Sequence, residues 1–347
     1  MRRLAHWLLL LLTVPYALAV GFRTVLYRRG WLSVRRLPRP VVSVGNLTVG
    51  GTGKTPVVIW LVQRLLARGR QVAVLSRGYK RLGDEPALLV SDGKTVLTGP
   101  AEAGDEPYLI AQRCPGAVVA VGSDRYQLGR WVLEQFSVDW FVLDDGFQHL
   151  ALARDVNLLL VDASDPDSLA HLLPAGRLRE PLAAASRATE ILLTRAEGGT
   201  DPARTLGRIR TAAGRDFKPI PVRFVAGELI DVGTGLVEPM GRMAGRSAVV
   251  FSGIARGESF RRLLTQHGVK VLDELVFPDH HVYSEADMST IRERVRRHRA
   301  DALLTTEKDA VKLPPLLRPD DRIRAVRLET VMPEGASRLE KMLELES

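Results

Sequence analysis

The order of apolar and polar positions divides the chain into three stretches. Residues 4–22 are almost continuously apolar: Trp7, the five leucines Leu8 to Leu12, Val14 and Val20 are interrupted mainly by His6, Thr13, Pro15 and Tyr16. As a helix rising about 1.5 Å per residue, this stretch reaches roughly 28 Å, close to the ~30 Å hydrocarbon core of a bilayer. From residue 41 onward, short apolar runs alternate with segments of helical spacing. Residues 41–44 read as a short buried strand, 45–53 as a Gly/Thr loop and 56–66 as a helix. Further strand-like runs fall at 72–75, 117–121, 140–143, 156–161 and 191–194, separated by helical or loop-like segments such as 125–136. Strands that alternate with helices predict a mostly parallel sheet covered on both faces. Residues 87–97, with Asp92-Gly93 at their centre, read as an inserted hairpin.

The alternation breaks around 214–221, and 221–237 reads as short extended pieces with glycine turns linking to a second domain. That domain is expected to hold strands at 248–251, 271–277, 302–306 and 323–326, helices at 258–267 and 284–298, and a closing helix at 336–345. The chain therefore divides into an N-terminal helix (1–25), a larger α/β domain (26–215) and a smaller α/β domain (216–347) that completes a cleft.

Composition supports packed domains. In 347 residues, 46% are apolar and 26% charged, which excludes disordered, collagen-like and disulfide-rich classes. Cys114 is the only cysteine and closes no intramolecular disulfide, which favours a reducing compartment. The net charge of +9 is unevenly spread: 15 Lys and Arg precede Asp84, the first acidic residue, whereas 34 bases face 40 acids over the rest of the chain. Arg2 and Arg3 precede the apolar stretch, and Arg23, Arg28, Arg29, Arg35, Arg36 and Arg39 follow it. The heavier cluster predicts that the bulk of the protein lies on the cytoplasmic side, with each arginine contributing about 1 kcal/mol near anionic head groups. A cleaved signal peptide also fits the Arg-Arg start, the leucine run and Ala17-Leu18-Ala19. A buried core helix is a third reading, disfavoured by arginines at both ends. The chain has no zinc, homeodomain or RNA-binding signature, so nucleic acid is not an expected partner.

Residues Thr48-Val49-Gly50-Gly51-Thr52-Gly53-Lys54-Thr55 resemble the phosphate-loop pattern GxxxxGK[ST], with Thr48 in place of the first glycine. Gly50, Gly51 and Gly53 let backbone N–H groups turn inward around phosphate oxygens at a helix N-terminus. Lys54 then reaches the β- and γ-phosphates, and the Thr55 hydroxyl ligates Mg²⁺. The apolar strand before the loop and the helix after it are the context such a site requires. A triphosphate site also needs an acidic metal partner at the end of a neighbouring strand. Trp140-Phe141-Val142-Leu143-Asp144-Asp145 supplies two, although either aspartate singly also reads as a cap on the turn at Gly146.

These motifs, together with Ser76-Arg77-Gly78-Tyr79, Gly104-Asp105-Glu106-Pro107, Asp144-Asp145-Gly146-Phe147-Gln148-His149, Arg177-Leu178-Arg179-Glu180-Pro181, Ser252-Gly253-Ile254-Ala255, Phe277-Pro278-Asp279-His280 and Thr305-Thr306-Glu307-Lys308-Asp309, resemble the tetraacyldisaccharide 4'-kinase family. The resemblance runs in order to near residue 312. It implies a P-loop NTPase-like sheet domain, ATP and Mg²⁺ as cosubstrates, and phosphoryl transfer to the 4'-hydroxyl of the lipid A disaccharide 1-phosphate precursor. It also implies a bacterial inner-membrane enzyme with cytoplasmic catalytic domains and no obligatory protein partner. By position, Asp105 matches the family's general base and His280 the histidine paired with it. Gln148 and His149 are expected to line the site, and Arg179 with Glu180 belongs to a family motif. A sugar hydroxyl has a very high pKa, so a carboxylate accepts its proton only as the transition state forms. Asp105 and His280 stand 175 positions apart and meet only across a cleft between domains, so closure would assemble the site.

Blander readings stand beside these. Asp105 before Glu106-Pro107 reads equally as a helix cap. His149 fits an ordinary hydrogen-bonded histidine, and His280-His281 a loop pair or metal ligands, without a second Cys/His cluster for zinc. Arg77, Arg125 and Arg130 are candidates for substrate phosphate or solvated surface, with Arg77 favoured by its Ser-Arg-Gly-Tyr setting. The rival class is a membrane-attached phosphate-loop ATPase or switch acting on a protein partner. Its GTP-dependent form wants Asn/Thr-Lys-x-Asp, and Thr306-Glu307-Lys308-Asp309 has those letters out of register, with Ala310 next.

Overall fold

The computed structural model describes residues 2–197 and 201–343. The apolar N-terminus is one helix, α1 (Arg2–Arg28), continuous through Pro15. It runs past the expected end at residue 22 because nothing breaks it before Gly30. There a φ of 73° lets the chain turn, and the Trp31 N–H closes on the Leu26 carbonyl at 2.9 Å. Residues 9–28 have a mean hydropathy of 1.8 and contribute no fully buried residue. Leu11, Val14, Leu18, Phe22 and Val25, three or four positions apart, form an exposed apolar stripe. The opposite face is docked: Tyr16 donates to the Arg179 carbonyl at 2.9 Å and Arg23 to the Gln148 carbonyl at 3.1 Å.

The first lobe comprises β1 (Val41–Asn46), α2 (Lys54–Ala67), β2 (Val72–Ser76), β3 (Leu88–Asp92), α3 (Pro100–Ala103), α4 (Asp105–Arg113), β4 (Val118–Val121), α5 (Arg125–Leu133), β5 (Trp140–Asp144), β6 (Val156–Asp162), β7 (Glu190–Thr194) and α6 (Pro202–Ala213). Every residue of β1, β2, β4, β5 and β6 is buried, which is why these strands read as unbroken apolar runs. Val57, Val58, Leu61 and Leu65 of α2 pack on one face of the sheet against Val42, Val74 and Val142. Leu128 and Val132 of α5 cover the other face with Leu75, Phe141 and Leu143.

The second lobe adds β8 (Ile220–Asp231), β9 (Val237–Pro239), β10 (Ser247–Ser252), α7 (Gly257–Gln266), β11 (Lys270–Val276), α8 (Glu285–His298), β12 (Ala302–Thr306), α9 (Glu307–Ala310), β13 (Ile323–Val331) and α10 (Ala336–Met342). All strands join one sheet in the order β11-β10-β12-β13-β8-β7-β6-β1-β5-β2-β4-β3, with β9 on β8. Pairing is parallel except at β3/β4, β8/β13 and β8/β9.

Three expectations change. The stretch read as extended pieces with glycine turns is one unbroken strand, β8, as far as Asp231; the expected glycine turn follows it, where the Gly235 N–H donates to the Asp231 carbonyl at 2.8 Å, and leads to β9. The first residues of β8 pair with β7 in parallel and its remainder with β13 in antiparallel, so it carries the sheet from one lobe into the other. Gly227 makes no turn; it is the extra residue where the β8/β13 register shifts. The hairpin at 87–97 turns at Gly93 and is closed by the Asp92 N–H to the Thr95 carbonyl at 3.3 Å and the Leu97 N–H to the Val90 carbonyl at 2.8 Å, but its returning arm forms no strand, and β3 also pairs with β4. The closing helix is α10, with residues 344–347 outside the described ones. Its Leu339 joins the core beneath α2, so the chain ends by packing back on the first lobe.

Candidate active site

The phosphate loop lies between β1 and α2, as its context requires. Gly53 precedes the helix at φ 91° with the Phe224 ring of β8 against it, so a side chain there would strike the ring. Lys54 Nζ sits 3.4 Å from Asn46 Oδ1 and 3.6 Å from Asp145 Oδ1. Asn46, at the end of β1, is fully buried; its amide donates to Thr52 Oγ1 at 3.0 Å and its carbonyl oxygen accepts from Arg179 at 2.8 Å. Val49, Gly50, Gly51, Thr52, Gly53, Lys54 and Thr55 all line a cleft of about 1650 Å³ between the lobes. Thr48 is buried off that wall, its carbonyl accepting from Arg179.

Asp144 and Asp145 end β5 beside the loop, on the cleft wall. Asp144 accepts from Ser76 at 2.8 Å through one oxygen; its other oxygen, and Asp145 Oδ1, are buried without a hydrogen-bond partner. Burial, reinforced by Glu106 and Asp145, pushes the Asp144 carboxyl up to about 7. Burial also opposes ionisation of Asp145, but Lys54 and Arg179 outweigh it and hold that carboxyl below the usual range. Asp144 Oδ1, without a hydrogen bond, and Asp145 Oδ1, with the Lys54 ammonium 3.6 Å away, are carboxylate oxygens beside a phosphate loop of the kind a hard, oxygen-seeking cation takes, so these residues fit Mg²⁺. Among the described residues no group of three His, Cys, Asp or Glu is placed to hold a metal ion.

On the facing side, His280 Nδ1 lies 3.2 Å from Asp105 Oδ2. Gly104, not Asp105, is the residue preceding α4, so the helix-cap reading of Asp105 does not hold. Its carboxylate instead reaches the second lobe, where Lys312 Nζ is 3.6 Å away. Burial alone would raise its pKa; the His280 hydrogen bond and the Lys312 and Lys308 ammoniums overcome that and hold it below the ordinary value. Lys308 bridges Glu106 of α4 and Asp279 at 3.1 Å each and lies 3.2 Å from His280 Nε2, which accounts for the 306–309 motif without base recognition. His280 (φ 61°), Asp145 (52°), Lys80 (59°) and Arg195 (52°) are four of five non-glycine residues with left-handed backbone among those described, and all four line the cleft. Such strain concentrates where a fold holds side chains for function.

The remaining expected residues divide. Arg77, Gln148, His149 and Arg179 are on the cleft wall. Arg179 donates to Asp145 at 2.8 Å and to Gln148 at 3.2 Å, tying β5, β1 and its own loop together. His149 is pushed down to about 4 by burial and by Arg125, so it is neutral at pH 7. Arg125 lines the cleft, buried; Arg130 sits exposed in the last turn of α5, away from it. Glu180 is buried against Arg187 at 2.7 Å and is not on the wall. Reading the sequence missed Asn46 and Lys312, and noted Lys308 only as part of the 305–309 motif. The one available signal was Asn46, a polar residue ending an apolar strand just before the glycine loop.

A phosphate loop on a parallel sheet, two aspartates at the next strand end and an aspartate–histidine pair across the cleft define a P-loop phosphotransferase. A model of the family described as Tetraacyldisaccharide-1-P 4'-kinase matches residues 5–345. The chain is 46% identical over 299 residues to the tetraacyldisaccharide 4'-kinase of Geobacter sulfurreducens, covering 86% of this chain and 81% of that one. It is 43% identical to the Pelobacter propionicus enzyme of the same name, covering 94% and 90%. The crystal structure of the "apo" form of LpxK from Aquifex aeolicus in complex with ATP superposes with a TM-score of 0.75 at 33% identity, covering 98% of both chains. The chain belongs to the tetraacyldisaccharide 4'-kinase family.

Proposed function

We propose that the chain transfers the γ-phosphoryl group of ATP to the 4'-hydroxyl of a tetraacylated glucosamine disaccharide 1-phosphate, the lipid A precursor. The observation that carries this reading is the 3.2 Å contact between Asp105 and His280, which sets an ionised base from one lobe and its partner from the other beside the phosphate loop. Asp105 accepts the hydroxyl proton as the phosphorus–oxygen bond forms. His280 orients that carboxylate, and Lys312 and Lys308 keep it ionised until then. Lys54 holds the β- and γ-phosphate oxygens, released from Asp145 as they arrive. Thr55, Asp144 and Asp145 would hold Mg²⁺, which when bound neutralises the charge on the transferring phosphates. Neutral His149, Gln148, Arg77 and Arg179 line the walls that position the two substrates.

We take residues 26–215 as the nucleotide lobe and 216–347 as the lobe that completes the cleft. The stripe of Leu11, Val14, Leu18, Phe22 and Val25 beds α1 in the cytoplasmic face of the inner membrane, flanked by the arginines that follow it. A multiply acylated sugar stays in the bilayer, because each buried CH₂ contributes about 0.8 kcal/mol. Docking of α1 through Tyr16 and Arg23 then holds the cleft where the head group emerges and cytosolic ATP arrives. The test is incubation of the full chain in detergent with labelled ATP, Mg²⁺ and the disaccharide 1-phosphate. A doubly phosphorylated product, formed better with ATP than GTP, is expected; label released only as inorganic phosphate would refute the reading.

A further inference from the structure

We infer that Arg256 is a positioning residue through which the second lobe sets the shape of the phosphate loop, an inference that rests on the kinase reading for its effect on turnover. Arg256 leads into α7 on the second lobe and reaches across the cleft to the end of β6 on the first. Its guanidinium lies 2.9 Å from Asp162 and 2.5 Å from Asp165, and donates to Ser164 Oγ at 2.7 Å. Each carboxylate is shared with a second arginine that holds the loop. Asp165 binds Arg177 at 2.8 Å, and Arg177 donates to the Val49 carbonyl at 2.9 and 3.2 Å. Asp162 binds Arg195 at 2.6 Å, and Arg195 donates to the Gly51 carbonyl at 3.1 Å. Asp162 is 3% exposed, so these contacts act with little screening by water.

The consequence follows from the peptide bond. In a planar trans peptide the C=O and the next N–H point in opposite directions. Arginines that fix the Val49 and Gly51 carbonyls therefore also fix the N–H groups of Gly50 and Thr52, pointing the opposite way, as a phosphate cradle needs. Thr194 does the same for the Thr52 carbonyl at 3.2 Å and so for the Gly53 N–H. Three guanidiniums share two carboxylates, leaving a surplus positive charge beside the loop. Arg256 serves both carboxylates at once, so it joins both relays to the other lobe. Lysine would keep the charge without the fork that spans two carboxylates.

The experiment uses the full chain in detergent, with Arg256→Ala, Arg256→Lys and Asp165→Asn. Amide hydrogen exchange is read over residues 47–53, and Mg²⁺–ATP affinity is read by calorimetry without acceptor. Arg256→Ala should speed exchange in the loop and weaken ATP binding by about tenfold, the size of a lost charge-assisted pair. Arg256→Lys should fall between it and the wild type. The Michaelis constant for ATP should rise while that for the disaccharide stays constant, a split that general loss of packing would not produce. Adding Asp165→Asn to Arg256→Ala should cost less than the two single effects combined. Wild-type loop exchange and ATP affinity in both Arg256 variants would overturn the inference, and Arg256→Lys keeps that test available if the alanine variant fails to fold. A wild-type protein that binds ATP yet phosphorylates no disaccharide would instead sink the kinase reading, leaving the loop-exchange result to stand or fall separately.

Discussion

Asp105 gains its role from its neighbours more than from its own chemistry. Its depressed pKa means that the basic form is present throughout the neutral range and is lost only as pH falls through that low value. Replacing His280 with alanine removes the hydrogen bond that opposes burial, so the Asp105 pKa rises. The acid limb of the kcat/KM profile at saturating Mg²⁺ should then move to higher pH, along with a lower plateau; superimposable acid limbs would show that His280 does not tune the base. The phosphate loop and the aspartate pair were legible from residue types and order, because each lies within one strand–loop unit. Asp105 and His280 were legible only through family resemblance, since no local spacing reports a contact made across the cleft. Lys312 escaped notice for the same reason and Lys308 was read only as part of a motif without a role, whereas Asn46 was missed although Thr52 and Lys54 lie in its own strand–loop unit. Arg179, Glu106, Asp279 and Asp105 lie far along the chain from the residues they meet, whereas Lys54 and Asp309 are near neighbours of Asn46 and Lys312.

At the level of elements, strands buried on both faces announced themselves as apolar runs, and β12 lies where its sequence places it. β8 did not, because its interior mixes buried with half-buried positions and carries Gly227 at a register shift, which mimics a turn. Helix α8 began as expected, with Ser284 capping it: the Asp287 N–H donates to Ser284 Oγ at 3.2 Å and the Ser284 N–H donates to Asp287 at 2.8 Å. Ser284→Ala should lower stability by about 1 kcal/mol. A denaturant midpoint unchanged from wild type would contradict that reading of the cap.

Across the whole molecule, a basic apolar end and an α/β body with balanced charge meet at one cleft. The docked face of α1 carries Thr13, Tyr16 and Arg23, and the opposite face exposes Leu18 and Phe22 at 69% and 62%. Glutamate at both exposed positions should weaken co-sedimentation with anionic vesicles by at least about tenfold, with the soluble fold intact by circular dichroism; undiminished sedimentation would remove α1 as the anchor. The continuity of the sheet through β8 was invisible in the sequence, yet it fixes how the second lobe presents His280 and Arg256 to the first.

The central claim is that the two lobes bring a base and a gripped triphosphate to one point. The most direct test is single-turnover transfer of labelled phosphoryl by Asp105→Ala, alongside its affinity for Mg²⁺–ATP. Transfer should fall by a factor of roughly 10² or more while ATP affinity changes little. Transfer at the wild-type rate, or a loss explained wholly by weaker ATP binding, would contradict it.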